Sequence, residues 1–256
     1  DLPRDATEFI CGTDDFESFL QNENTHSGQV AVAERGAEPV QLKVYRAAIA
    51  AKGEYSVFHG GTKPLVLSAI TVAMNFINAI LERDFDVRYQ LIANNDAIIF
   101  LDPATDPYSG VTVGDWMDQN PDAINPIIGI NNYDVGHVFS QYSSGDAAGV
   151  VSGRACQLLT KARGASSYPS PNAEQFFLVA AHEMCHQLSG GHSWSNCLGI
   201  LQQQLAPSTA FEPGGGTTIM SYAGSCGPAN NIQGDNDPYF HVGNIVQVRN
   251  FVAMGD

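Results

Sequence analysis

Basic side chains are scarce: the chain carries 12 Lys and Arg against 27 Asp and Glu, a formal net charge of −15. Such a surface repels phosphate backbones and anionic lipid, which excludes nucleic acid and acidic membranes as partners. No uninterrupted apolar run reaches the roughly 18 residues that suggest a membrane span. A charged and then greasy export signal is also missing from the start, so Asp1 is expected to be a processed end. Cysteine is limited to five residues, an odd count that leaves at least one thiol unpaired or intermolecular. That usage fits an oxidising compartment and a secreted protein. EF-hand spacing is absent; Asp102, Asp106, Asp235 and Asp237 stand in loop-like, oxygen-rich segments that leave structural Ca2+ open as a secondary expectation. Nothing in 256 residues with 44% hydrophobic content forces a second domain. One compact domain over 41–256 with an N-terminal extension over 1–40, acting as a monomer, is the simplest account.

What is present is concentrated in Ala180 to His192. His182 and His186 are four apart, so on a helix both imidazoles leave one face and can grip a single ion. Glu183 stands beside them, where a carboxylate can take a proton from water and return it to a leaving amine. A helix stopping near Ser189, followed by Gly190 and Gly191, lets the backbone swing a third imidazole, His192, towards the same point. Three neutral nitrogens leave a fourth position open, the arrangement of a catalytic rather than a structural Zn2+ site. A carboxylate as third ligand is disfavoured: Glu212 is the only later glutamate, and Glu212-Pro213-Gly214 cannot form a ligand-bearing helix.

His192 follows His182 by ten residues, and Thr218-Ile219-Met220-Ser221-Tyr222 lies downstream where a methionine turn belongs. With these motifs the chain resembles the metzincins, and within them the secreted bacterial members of the reprolysin (adamalysin or ADAM-like) group. Tyr45 to Ala50, Gly53-Glu54-Tyr55, Glu82 to Phe85, Ala93 to Asp96, Asn132 to Phe139, Lys161 to Gly164 and Glu212-Pro213-Gly214 extend the likeness over roughly residues 41 to 245. One departure is Ser189, which occupies the motif's glycine position, where a positive backbone angle is needed; Gly190 and Gly191 are expected to absorb the turn instead.

The resemblance implies a metzincin-type α/β fold: a twisted mixed sheet with the active-site helix in an upper subdomain, and a small irregular lower subdomain. It implies packing, not ligation, for Met220. Tyr222 holds the position from which astacins and serralysins aim a phenol at the metal or the tetrahedral intermediate; that role is not general among reprolysin-like enzymes, and packing is the competing role. The likeness also suggests a Cys197–Cys226 bridge tying the segment after His192 to the segment after the methionine turn, and Cys156 with Cys185 is the further expected pair. Cys11-Gly12 resembles the way metzincin pro-segments present a zinc-blocking thiol, against the plainer roles of disulfide partner or idle thiol.

Along the chain, alternation over Gln41 to Ala51 predicts a first strand, and Leu65, Ala69, Val72, Phe76, Ile80 and Leu81 a helix beginning at Pro64. Asp86 to Leu101 reads as a second strand, 102–112 as a loop, and Val113 to Ile130 as a helix broken near Pro121 and Pro126. Strands follow at Tyr133 to Ser140 and Ala147 to Val151. Ala162 to Tyr168 reads either as the edge strand beside the cleft or as a surface loop. Asn172 is expected to cap the zinc helix, with Glu174 in its first turn, and Val242 to Val252 to form the closing helix. His26, His59, His137 and His241 lack a second ligand at metal spacing, although His241 is placed to line the lower cleft.

These readings point to an endopeptidase that hydrolyses polypeptides with Zn2+ and Glu183 as general base. The alternative is a latent or inactive binding module held off by its N-terminal extension.

Overall fold

The computed structural model describes residues 41–141 and 148–254. The expected extension over 1–40, with Cys11 and His26, lies outside the described residues.

Five strands build the sheet: β1 (Lys43–Ala51), β2 (Val87–Leu91), β3 (Val135–Ser140), β4 (Gly149–Val151) and β5 (Gly164–Ser167), in the order β2-β1-β3-β5-β4. All pairings are parallel except β4 with β5. The sequence of β1 explains its central place. Tyr45, Ala47, Ile49 and Ala51 face one core and Ala48 and Ala50 the other, so small side chains let helices pack close on both faces.

The helices are α1 (Gly53–Phe58), α2 (Lys63–Phe85), α3 (Val113–Ile128), α4 (Glu174–His186) and α5 (Val242–Met254). By composition α2 is long and apolar enough to cross a membrane. Its Val66, Ile70, Ile77 and Leu81 are instead fully buried against the sheet and α4, each contributing about 1.5–3 kcal/mol of burial. Phe76 meets Phe177 of α4 at 5.4 Å between ring centroids. On the opposite face Trp116 and Ile124 of α3 pack with Val138 and Ala165.

Several expectations need correction. The second strand ends at Leu91, and Asn95–Ile98 is a 3-10 turn. The reason is Asn95, whose buried side chain accepts from Ile49 N (2.8 Å) and donates to Ile49 O (2.9 Å), doing for β1 what a strand would have done. α3 runs unbroken through Pro121 and Pro126. A Thr112–Asp115 capping box starts it, and Asn120 and Asn125 tie it to Ala162 O and Tyr133 Oη at 2.7 Å each, which outweighs the missing amide hydrogens. Asn172 does not cap α4: the cap position is Ala173, with no side-chain bond. β5 is a strand, but a buried interior one; the edge beside the cleft is β4.

From Ser193 to His241 the chain forms no helix longer than the 3-10 turn at Gly199–Gln204. Cross-links hold this lower part. The Cys197–Cys226 disulfide is present and packs with buried Trp194. Cys156 is disulfide-bonded, but not to Cys185, which is a free thiol sealed in the core. Glu212 accepts from Ser193 Oγ, Thr217 N (2.8 Å), Thr218 N (3.0 Å) and Thr218 Oγ1 (2.6 Å). Burial pushes its carboxyl up, yet these donors outweigh that and hold it below the usual range. Glu212 is thus a pin between the segments carrying His192 and Met220.

Candidate active site

α4 ends at the second of its two histidines, His186. Ser189 N bonds to His186 O and Gly190 N to Cys185 O, both at 2.9 Å, closing the last turn. Ser189 itself takes the left-handed conformation, with φ 68°, whereas Gly190 and Gly191 do not. The expected transfer of the turn to the two glycines is therefore corrected. Gly190 serves close approach instead: a Cβ there would lie 2.3 Å from Cys185 Sγ.

The turn delivers His192 to His182 and His186, and the three imidazoles form the only potential metal-holding group among the described residues. Each Nδ1 meets a backbone carbonyl at 2.7 Å: His182 with Ile219 O, His186 with Gly190 O and His192 with Gln204 O. A carbonyl only accepts, so each Nδ1 carries the proton and each Nε2 presents a lone pair. Those Nε2 atoms crowd together, 3.1 Å from His186 to His182 and 3.2 Å from His186 to His192. Three lone pairs that close repel unless a cation lies between them. Four-coordinate zinc with bonds of about 2.0–2.1 Å would space its donors about 3.3–3.4 Å apart, so the residues fit that ion. Burial, reinforced by the neighbouring rings, pushes His182 well below the ordinary histidine range and His186 to about 4, while burial also lowers His192, keeping all three neutral.

Glu183 is buried beside this cluster, and burial raises its carboxyl to about 8. Gly149 of β4 presses on it, so that a Cβ would lie 2.3 Å from Glu183 Cγ. Tyr222 reaches the same point. Its hydroxyl donates to Gln204 Oε1 and lies 3.1 Å from His192 Nε2, and burial together with the Glu183 charge keeps the phenol protonated. Trp194 stacks behind His192 and Tyr222, at 5.9 and 5.2 Å between centroids. Met220 is fully buried in the main core, and its carbonyl accepts from Ser193 N.

Two cavities meet at Glu183. One, of about 680 Å³, runs along β4 past Arg154, Gly190 and His192; the other, of about 550 Å³, is walled by Tyr168, Leu178, Val179, Ile219 and Ala223. A groove open on both sides of the carboxylate suits an extended chain crossing it.

The remaining candidates fall elsewhere. His137 is buried between Gln187 and Ser166, and His241 accepts from Gly243 N at the start of α5 and stacks on Phe211. Asp102 and Asp106 accept from nearby backbone amides, and no group that could hold a metal includes Asp102, Asp106, Asp235 or Asp237 among the described residues, so calcium has no support. Sequence reasoning missed Gly149, Gln187 and Gln204. A glycine before two valines is the one local trace of the first, and the other two carry no local signal.

A family model for Metallo-peptidase family M12B Reprolysin-like matches residues 41–250. No curated protein sequence matches. Among solved structures, the chain is similar to one described as "Structure of a chaperone-substrate complex" (11% identity, TM-score 0.46) and to metalloproteinase-II from Bacteroides fragilis (12% identity, TM-score 0.44). Both alignments take in 84% of this chain but only 35% and 55% of the other. The family match spans most of the chain and includes every residue of the histidine cluster, and on that ground the chain belongs to metallopeptidase family M12B, in its reprolysin-like division.

Proposed function

We propose that the chain is a zinc endopeptidase in which His182, His186 and His192 hold the metal and Glu183 is the general base. The observation that carries this is the convergence of three unprotonated Nε2 atoms, each fixed by a carbonyl on its Nδ1. Zinc, when bound, supplies a Lewis acid that makes water nucleophilic near neutral pH and polarises the scissile carbonyl. Glu183 accepts the proton from the attacking water and passes it to the amine nitrogen as the C–N bond breaks. A cation alongside lowers the Glu183 carboxyl from its buried value, so that it is a base at working pH. Tyr222, protonated and 3.1 Å from His192 Nε2, is placed to donate to the oxyanion once its hydroxyl turns from Gln204. Substrate polypeptide lies extended along β4, whose edge position supports pairing by backbone hydrogen bonds.

The Cys197–Cys226 bridge supports a secreted setting. An inactive binding module gains no support from a cluster in which donors, carboxylate and groove coincide. Glu183→Ala tests the assignment: zinc content should stay near one per chain while cleavage of casein falls below about 10⁻³ of the parent. Activity within tenfold of the parent would remove Glu183 from the mechanism.

A further inference from the structure

Gly191, the residue before His192, lies beyond the last hydrogen bonds of α4, so its amide and carbonyl need partners from elsewhere. Both come from the closing helix. Gln247 Oε1 accepts from Gly191 N at 2.8 Å, and Asn244 Nδ2 donates to Gly191 O at 2.6 Å. Three apart, these side chains share one face of α5. Asn244 is fully buried, while Gln247 reaches the cavity that also contains Gly190, Gly191 and His192. α5 is itself fixed: Val248 and Val252 enter the main core, and Arg249 pairs with Asp86 at the end of α2 at 2.5 Å.

We propose that Asn244 and Gln247 are positioning residues for the third metal ligand, a pincer through which α5 sets the place of His192. This rests on the three-histidine reading above. The need for it is local. His182 and His186 are held by the helix that carries them, but His192 stands on a turn opened by a left-handed serine. Its own carbonyl is caught by Thr209 Oγ1 at 2.6 Å, so the ligand is braced on both sides, by α5 before it and by the lower part after it.

The two side chains have opposite hydrogen-bonding duties, which gives a test that packing alone does not mimic. Gln247→Glu keeps an acceptor facing Gly191 N, whereas Gln247→Met keeps the shape and loses it. Asn244→Asp keeps the shape and loses the donor facing Gly191 O. Zinc affinity of the full chain is measured by chelator competition, with the absorption spectrum of the cobalt-substituted protein as a second readout. Gln247→Met and Asn244→Asp should each weaken zinc about tenfold or more and alter the cobalt bands, while Gln247→Glu stays within about threefold of the parent. If Asn244→Asp does not fold, the Met and Glu variants at 247 decide the matter. Equal zinc affinity in parent and Gln247→Met, or equal losses in Gln247→Met and Gln247→Glu, would overturn the pincer while leaving the metal site intact. A parent chain that holds no zinc would overturn the metal reading and the pincer with it.

Discussion

Gly149 on the edge strand and Glu183 on the active-site helix are so close that a methyl group on the first would lie 2.3 Å from Cγ of the second and 2.5 Å from its Oε1. The strand that borders the groove therefore also fixes the rotamer of the carboxylate. Gly149→Ala should displace Glu183 by about an ångström and lower kcat about 100-fold, with zinc content unchanged. Steady-state kinetics beside metal analysis separates this from loss of the ion; a kcat within threefold of the parent would show that the contact does not govern the carboxylate.

Ser189 sits at φ 68° in a position its side chain does not favour. Ser189→Gly relieves that cost, offset in part by the greater freedom of glycine in the unfolded chain, and should raise stability by about 0.5–1 kcal/mol in urea denaturation. A destabilised Ser189→Gly would mean that the serine side chain supports the turn in a way the backbone angle does not reveal.

His137 is sealed inside the protein between Gln187 Oε1 and Ser166 Oγ, both at 2.9 Å, and burial lowers its ring from 6.5 to about 4. The unfolded chain thus binds a proton on this ring between pH 6.5 and 4 that the folded chain does not. Stability from neutral His137 is complete above pH 6.5 and is lost as pH falls towards 4, by up to about 3 kcal/mol. Glu212, also held low, adds its loss only below its unfolded value of about 4.5. Denaturation at pH 7, 5.5 and 4.5 should show the decline, and His137→Asn should make it shallower between 7 and 5.5, the remainder belonging to His182, His186 and His192, which burial also holds low. An unchanged slope in that variant would contradict the linkage.

What could be read beforehand was whatever the sequence encodes within one or two turns. The spacing of His182, Glu183, His186 and His192 is such a feature, since helix geometry and one tight turn bring the donors together; so is the alternation in β1. Misreadings arose where a distant side chain decided the outcome. Asn95 occupies the hydrogen-bonding groups of Ile49, 46 residues away, and cuts short the strand that Ile98 to Phe100 advertised. Ala162 to Tyr168 reads from sequence as either an edge strand or a loop; it is β5, an interior strand, because β4 pairs with its outer side, a pairing that no local pattern encodes. Asn244 and Gln247 meet Gly191 across 53 and 56 residues, a distance over which no periodicity speaks.

The central claim is a metal on three imidazoles. It is tested most directly by anomalous scattering from crystals of the purified protein, measured on both sides of the zinc absorption edge. The account predicts one strong peak about 2.0–2.1 Å from Nε2 of His182, His186 and His192, present above the edge and lost below it. A map with no such peak, or one in which the ring of His192 turns away from it, would contradict the account.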